Sequence, residues 1–238
     1  MRGAADVARG LEPARAARVI DRGERIHVVG VAGAGASAAA ILAHAAGASV
    51  DGCDPGAPSP YTVAVASRGI PISRLHDAAH ISDGRPARLA VTKALTSIQP
   101  DHPELQAARA AGVPIEPWQQ TVADAAMSQG GRLVAVAGTH GKSTSAGWLV
   151  HLLVQAGRDP GAFVGALLPA QLSAGVAATA RWGRGDAFVV EADEYAGNFD
   201  PYRPELAVLL NAEWDHPDVF ADQAAVVDAF EAWLRAPG

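Results

Sequence analysis

Residues 138–144 have the types and the spacing of a loop that holds the phosphates of a nucleoside triphosphate. In such a loop the backbone N–H groups wrap the phosphates, and the following helix points the positive end of its dipole at them. Lys142 would reach the outer phosphates, and the Ser143 hydroxyl would bind Mg²⁺. The usual motif has glycine where this chain has Val136, so a structural turn with a surface lysine is the alternative. An apolar strand pattern over residues 133–137 leads directly into the loop and favours the nucleotide interpretation. The predicted nucleotide contacts in the loop are Gly138, Thr139, His140, Gly141, Lys142, Ser143 and Thr144.

Polar side chains follow two further apolar runs, each where a strand is predicted to end. Residues 188–190 lead into Glu191, and residues 206–210 lead into Asn211 and then His216. In open α/β sheets, ligands bind beyond the carboxyl ends of the strands. We therefore expect Glu191 to hold Mg²⁺, directly or through water, beside the phosphate loop.

His216 is predicted to bind a second metal ion, with Asp215 orienting its ring. A loop histidine without a ligand is the alternative, but the flanking carboxylate and the strand-end position favour a metal. Asp193 and Glu194 can also be interpreted as a solvated acidic turn, and for Glu194 that interpretation is favoured. The predicted metal ligands are Ser143, Glu191 and His216.

A second glycine-rich turn, residues 30–35, follows the strand predicted at residues 25–29. It departs from the dinucleotide-binding pattern, because Ala32 stands where a glycine would let a pyrophosphate approach the backbone. Asp51 or Asp54, about twenty residues further on, could meet a ribose hydroxyl. A structural turn that binds nothing remains the alternative.

The order of elements predicts an α/β protein with two successive parallel-sheet domains. Strands are predicted near residues 25–29, 49–54, 70–72, 89–92 and 113–116, and then near 133–137, 162–165, 187–191 and 206–210. Helices are predicted near residues 37–46 and 103–111 and directly after the phosphate loop, and residues 121–131 are interpreted as the stretch that joins the two halves. The predicted organisation is an extension over residues 1–24, a Rossmann-like domain over 25–130 and an incomplete phosphate-loop domain over 131–238.

Composition narrows the class of protein. Of the 238 residues, 49% are hydrophobic and 18% are charged, so a sizeable core can form and wholesale disorder is excluded. The net charge of −6, without a basic run, argues against nucleic acid and anionic membranes as partners. The single cysteine, Cys53, fits a reducing compartment. Residues 1–24 lack the apolar core of a signal peptide and are interpreted as a frayed extension or short helix, which predicts a cytoplasmic protein.

From about residue 25 to the end, the chain resembles the Mur ligase family, which uses ATP to build the peptide of bacterial cell-wall precursors. The resemblance is carried by the loop over residues 138–144, by Glu-Ala-Asp-Glu over 191–194, and by Asn211 followed by Asp215 and His216. The turn over residues 30–37 resembles the family's UDP-binding turn. The sugar-nucleotide contacts that this implies are Gly30, Gly33, Ala34, Gly35, Ser37 and Asp54.

The resemblance implies an amide-forming ligase that acts through an acyl phosphate, with ATP and Mg²⁺ as cofactors. Lys142, Glu191 and His216 would be the catalytic residues, and Asn211 would join the loop in binding the nucleotide. The implied substrates are UDP-N-acetylmuramate and L-alanine, which His140 favours. An intact peptide in place of L-alanine is the alternative within the family, and the sequence does not separate the two.

Family members carry a third, carboxy-terminal domain that closes over the amino acid, and residues 1–238 leave no room for it. We therefore expect a fragment of a longer product, or a short form that another polypeptide completes. A nucleotide-binding module without ligase activity is the alternative function. An incomplete second sheet, with four strands predicted, should expose an apolar edge.

Overall fold

A computed structural model describes residues 7–236, which form two five-stranded sheets. The first sheet contains β1 (Arg25–Val29), β2 (Ser49–Cys53), β3 (Ile72–Ser73), β4 (Arg88–Val91) and β5 (Ile115–Pro117). The helices of this half are α1 (Ala34–Ala45), α2 (Pro60–Ala66), α3 (Ala79–Ser82), α4 (Lys93–Ile98) and α5 (Pro103–Ala111). All neighbouring strands are parallel in the order β3-β2-β1-β4-β5, so the strand order reverses between β1 and β4. Open α/β sheets bind ligands at such a reversal, and the first glycine turn lies there because it directly follows β1.

The second sheet follows helix α6 (Trp118–Gln129). Its elements are β6 (Arg132–Ala137), α7 (Lys142–Gln155), β7 (Gly161–Leu168), β8 (Ala178–Arg181), β9 (Ala187–Ala192), β10 (Leu206–Leu209) and α8 (Gln223–Arg235). The strand order is β10-β6-β9-β7-β8, and the pair β7–β8 alone in this sheet is antiparallel. The predicted α/β class with two successive sheets is confirmed.

Two local predictions are wrong. The stretch over residues 121–131, interpreted as a connection, lies mostly within α6, because its alanines and glutamines are good helix formers and Gly130 ends the helix with a left-handed φ of +82°. The fifth strand of the second sheet, β8, was not predicted at all. Its sequence Ala-Thr-Ala-Arg has little strand preference of its own, and pairing with β7 determines its conformation.

The segment over residues 7–24 is also neither frayed nor helical, contrary to the prediction, whereas residues 1–6 of the predicted extension lie outside the described part. The segment runs along α6, where the backbone N–H of Arg15 donates to Gln120 at 3.1 Å and that of Ile20 donates to Ser128 at 2.8 Å. The guanidinium of Arg15 contacts Asp124 at 2.7 Å. Hydrogen bonds from its backbone to side chains of α6, together with the ion pair to the buried Asp124, therefore hold the segment in place.

Helix α1 packs between the two sheets, against β1 and β2 on one side and β7 and β8 on the other. The Thr179 hydroxyl of β8 donates to the Ala34 carbonyl of α1 at 2.7 Å. Because α1 is rich in alanine, it is thin enough to fit there, and one continuous hydrophobic core includes Val28 of the first sheet and Phe188 of the second.

The predicted apolar edge is present at β10, one of the two edge strands of the second sheet. Leu206 is 58% exposed and Leu209 is 43% exposed. None of the helices within residues 7–236 combines the length and the hydrophobicity of a membrane span.

Candidate active site

The sheet register gathers the predicted site residues at one edge. Strand β6 lies between β9 and β10, with Val136 opposite Glu191 and Ala137 opposite Leu209. Since the three strands are parallel, their carboxyl ends coincide, and the loop after β6 meets the residues that follow β9 and β10. The fold therefore brings these side chains together at one edge of the second sheet, and their binding roles stay predictions.

The phosphate loop takes a conformation that needs its glycines. Gly138 has φ +132° and Gly141 has φ +81°, in the left-handed region that favours glycine. A Cβ atom on Gly138 would also lie 3.0 Å from both the backbone nitrogen and the backbone oxygen of Asn211. Helix α7 begins at Lys142, directly after Gly141, so its free N–H groups face the inside of the loop.

The residues after β10 brace this loop. The side chain of Asn211 accepts from the His140 N–H at 2.9 Å and donates to the His140 carbonyl at 3.1 Å. The Thr139 hydroxyl accepts from the Glu213 N–H at 3.0 Å and donates to the Glu213 carbonyl at 2.9 Å. Asn211, predicted as a nucleotide contact, thus uses its amide to position the loop backbone.

Lys142 points at two carboxylates that follow β9. Its ammonium lies 3.0 Å from Glu194 Oε2 and 3.5 Å from Asp193 Oδ1, and it also donates to the Thr139 carbonyl at 3.3 Å. Glu194 is only 1% exposed, so its interpretation as a solvated turn residue is wrong. Burial next to the loop lysine makes it part of the site, where phosphate oxygens would compete with it for the ammonium.

Ser143 and Glu191 lie together as predicted for a shared Mg²⁺ ion. The Ser143 hydroxyl donates to Glu191 Oε1 at 2.9 Å, and the Gly165 N–H donates to Glu191 Oε2 at 2.6 Å. A Cβ atom on Gly165 would come within 2.9 Å of the same carboxylate. A hydroxyl and a carboxylate are the oxygen ligands that Mg²⁺ prefers, so the pair fits the ion.

His216 lies beside the acidic turn but is not oriented as predicted. Asp215 accepts a hydrogen bond from the backbone N–H of His216 at 2.7 Å, and its other oxygen is 3.9 Å from the ring nitrogen. The backbone bond holds the pKa of Asp215 below its ordinary value. Tyr195 instead contacts the ring edge-on, with centroids 4.9 Å apart. Ligand atoms of Asp193, Glu194 and His216 lie within 4.8 Å of one another, so a cation could be held there.

The first glycine turn shows a division of roles among its predicted contacts. Gly30 has φ +71°, and Asp54 Oδ2 accepts from the Ala32 N–H at 3.2 Å, so Asp54 stabilises the turn. Ser37 is 1% exposed, and its hydroxyl donates to the Ala34 carbonyl at 2.9 Å. The hydroxyl is therefore enclosed between the sheets, and the role of Ser37 as a substrate contact stays a prediction.

Of the remaining turn residues, Gly33 is exposed, and Ala34 and Gly35 are half-buried. A Cβ atom on Gly35 would overlap the Trp118 ring at 2.1 Å, so this glycine is required for the ring to pack on α1. Asp51, the other candidate for a ribose contact, pairs with His27 at 2.9 Å. Gly33 and Ala34 begin α1 beside Gly35, at the mouth of the cleft described next.

A cavity of about 190 Å³ lies between the first glycine turn and the carboxyl end of β9. Its lining includes Ala34 and Gly35 from the turn, Glu191 from β9 and Asp193 just after that strand. Trp118 forms part of the wall between them. A ligand that rests on the first turn would therefore extend toward the side chains beside the phosphate loop.

Two contributors to this region escaped sequence reasoning. Lys93, at the start of α4, donates to the carbonyls of Ala196 at 2.8 Å and Gly197 at 2.7 Å, and burial lowers its pKa. Tyr195 donates to Asp218 at 3.0 Å, and burial together with this carboxylate raises its pKa. Lys93 carried a usable signal, because it is a lone cation directly after a buried strand.

Comparison with known proteins gives consistent matches. The model of the Mur ligase family, catalytic domain, matches residues 25–140. A UDP-N-acetylmuramate–L-alanine ligase of Frankia casuarinae is 40% identical over 217 residues, which are 90% of this chain and 41% of the relative. One of Bifidobacterium longum is 37% identical, over 94% of this chain and 42% of the relative. The chain thus spans less than half the length of these relatives.

Solved structures show the same similarity. The UDP-N-acetylmuramate:L-alanyl-γ-D-glutamyl-meso-diaminopimelate ligase of Neisseria meningitidis superposes with a TM-score of 0.75 at 28% identity, over 89% of this chain and 67% of that one. The UDP-N-acetylmuramate–alanine ligase of Thermotoga maritima gives 0.74 at 28% identity, over 87% of this chain and 46% of that one.

Proposed function

Because the chain belongs to the Mur ligase family, we propose that it carries the sugar-nucleotide and ATP-binding parts of a ligase that joins L-alanine to UDP-N-acetylmuramate. The observation that carries the proposal is the cleft in which Ala34 and Gly35 face Glu191 and Asp193. This arrangement would let a carboxylate on a UDP-linked sugar approach the outer phosphate of a nucleotide held by the loop. The protein is proposed to be cytoplasmic.

The nucleotide would be bound by groups that are already in place. The N–H groups at the start of α7 and the Lys142 ammonium would hold the phosphates, and Ser143 with Glu191 would hold Mg²⁺. Bound Mg²⁺ supplies positive charge that offsets the repulsion between the two anions. His216 with Asp193 would hold a second cation at the acidic turn.

The proposed chemistry needs no nucleophile from the protein. The substrate carboxylate attacks the γ-phosphorus, ADP leaves, and an acyl phosphate forms. The amine of L-alanine then attacks the acyl carbon, phosphate leaves, and the amine proton passes to solvent or to a nearby base. The contribution of this chain is alignment and charge balance, which can supply a large part of a rate enhancement.

Nucleotide binding provides the direct test. Calorimetric titration of the purified chain with ATP, with Mg²⁺ and then with EDTA, should show tighter binding when Mg²⁺ is present. We expect Lys142→Met to weaken ATP binding by about 10- to 100-fold, since it removes a charged hydrogen bond to phosphate. Ser143→Ala should abolish the difference between Mg²⁺ and EDTA, whereas the matched control Ser82→Ala, at an exposed serine that donates to Asp83, should behave as wild type. Equal ATP affinity for wild type and Lys142→Met would refute the site.

Turnover separates the ligase from its alternatives. Phosphate release is measured with ATP and UDP-N-acetylmuramate plus either L-alanine or the tripeptide L-alanyl-γ-D-glutamyl-meso-diaminopimelate. The tripeptide is the second candidate amine, because the superposition on a ligase of that substrate is as close as on an alanine ligase. If neither amine supports phosphate release while ATP binding is intact, the function that remains is that of a nucleotide-binding module.

A further inference from the structure

Four side chains of types that can bind metal ions lie close together in the first half of the chain, away from the phosphate loop. His27 comes from β1, Cys53 from the end of β2, His80 from α3 and Glu104 from α5. Cys53 and Glu104 are fully buried and His27 is 1% exposed, while the His80 side chain is 20% exposed. Four separate elements thus deliver imidazole, thiol and carboxylate groups to one point in the interior.

The ligand atoms of these four residues are close enough to share one ion. One atom from each lies within 4.8 Å of the other three. Glu104 is the centre, with Oε2 3.2 Å from Cys53 Sγ and Oε1 2.5 Å from His80 Nδ1. His27 Nε2 lies 3.5 Å from Oε1 of the same carboxylate.

An unsatisfied nitrogen points to a missing ligand. His27 Nδ1 pairs with Asp51 Oδ1 at 2.9 Å, while its buried Nε2 has no hydrogen-bond partner. A buried polar atom without a partner is costly in free energy. A carboxylate on one ring nitrogen that leaves the other nitrogen free is the usual arrangement of a metal-binding histidine.

Two more histidines surround the four. His76 Nδ1 lies 3.1 Å from Cys53 Sγ, and the His102 ring contacts the His76 ring with centroids 4.4 Å apart. His102 is 3% exposed, and neither of its ring nitrogens has a hydrogen-bond partner. Several imidazoles around one carboxylate and one thiol make a poor hydrophobic core, but they offer many potential metal ligands.

We propose that His27, Cys53, His80 and Glu104 form a binding site for Zn²⁺ or a transition metal of similar preference. Nitrogen, sulfur and a single carboxylate in a group of four match tetrahedral zinc, whereas Mg²⁺ prefers oxygen ligands. The site is distinct from the Mg²⁺ position at Ser143 and would tie α3 and α5 to the first sheet. A pocket of about 350 Å³ lined by Asp51 and His80 leads to it from the surface.

Cobalt substitution gives a test that does not depend on catalysis. The chain is purified with chelator and titrated with Co²⁺, followed by competition with Zn²⁺. We expect one equivalent to bind with the intense visible bands of tetrahedral Co²⁺ and a thiolate-to-metal charge-transfer band in the near ultraviolet. Cys53→Ser should remove the charge-transfer band, and Asp51→Asn should weaken Zn²⁺ binding by about 10- to 100-fold as an outer-shell change.

Further variants separate metal loss from misfolding. His80→Gln alters the most exposed of the four ligands, so it should fold and yet bind Zn²⁺ at least about tenfold more weakly. His151→Gln, in α7, is the matched histidine control and should bind as wild type. Zn²⁺ should also raise the melting temperature of the wild type more than that of His80→Gln. If the wild-type chain binds no stoichiometric Co²⁺ or Zn²⁺, or if Cys53→Ser binds Co²⁺ with an unchanged spectrum, the cluster is an ion-pair network and the proposal is wrong.

Discussion

Replacing Arg88 by methionine should destabilise the fold strongly, by an amount that depends on pH. Arg88 is 2% exposed, and one guanidinium nitrogen contacts both Asp124 and Glu116, the latter at 2.8 Å. Its Nε lies 3.1 Å from Glu24. Burial by itself would raise the pKa of Asp124, but Arg15 and Arg88 hold that pKa below its ordinary value.

Protonation of the Asp124 carboxylate sets an upper limit on the stability that Arg88→Met loses. Breaking a buried ion pair costs about 3–5 kcal/mol. The variant can instead protonate Asp124, which at pH 7 costs about 4 kcal/mol from an ordinary pKa near 3.9, and about 1.5 kcal/mol at pH 5. We therefore expect the Arg88→Met loss in unfolding free energy to be about 3–4 kcal/mol at pH 7 and to shrink toward pH 5.

The direction of this pH dependence follows from the linkage between proton binding and folding stability. In the wild type the lowered pKa of Asp124 contributes stability above its unfolded pKa, and this contribution is lost only as the pH falls through the folded value. Arg15 still pairs with Asp124 in Arg88→Met, but burial is the largest influence on this carboxyl, and we expect it to outweigh the one remaining arginine. The folded pKa of Asp124 then rises above its unfolded value, so the variant gains stability as the pH falls from 7 to 5.

Urea unfolding at pH 7 and pH 5, followed by circular dichroism, measures the difference. Arg235→Met is the control, because Arg235 pairs with Glu231 at the surface and should change stability by less than about 0.5 kcal/mol. A loss for Arg88→Met that is small, or that is the same at both pH values, would refute the reasoning.

The other predictions concern the turns. Gly35→Ala should destabilise the protein by about 1–3 kcal/mol, because its Cβ overlaps the Trp118 ring, and a shift in tryptophan emission should accompany the change in urea midpoint. Asn211→Ala should weaken ATP binding about tenfold in calorimetric titration while leaving the melting temperature nearly unchanged, because it frees the backbone of His140 at the loop; unaltered affinity would count against a bracing role. Gly138→Ala should abolish detectable ATP binding in the same titration, since φ of +132° and contact with Asn211 exclude a side chain; binding as tight as wild type would show that the loop adapts.

The sequence predicted which side chains lie together where polar residues directly follow a strand. Glu191 and Ser143 lie within hydrogen-bond distance because periodic apolar runs fix where strands end, and parallel strands bring those ends together. The resemblance to the Mur ligases agreed with the comparisons. The roles of these residues in binding remain predictions.

Burial and pairing between distant residues were harder to predict from the sequence. Glu194 follows Asp193 in an acidic run that reads as solvent-exposed, but Lys142 pairs with it in the interior. Ser37 reads as a ligand group at a helix start, but it is enclosed because β8, which was not predicted, packs on α1. In both cases the burial depends on contacts with residues more than forty positions away, which local patterns do not encode.

The placement of α1 has a consequence for how substrates would meet. The helix begins at the first glycine turn and its flank supports β7 and β8, so the turn and the second sheet belong to one packed body. The separation between a ligand on that turn and the carboxylate of Glu191 is then established when the chain folds. The turn and the second sheet would then lose no freedom of movement relative to each other when the substrates react. This is the entropic advantage of preorganisation.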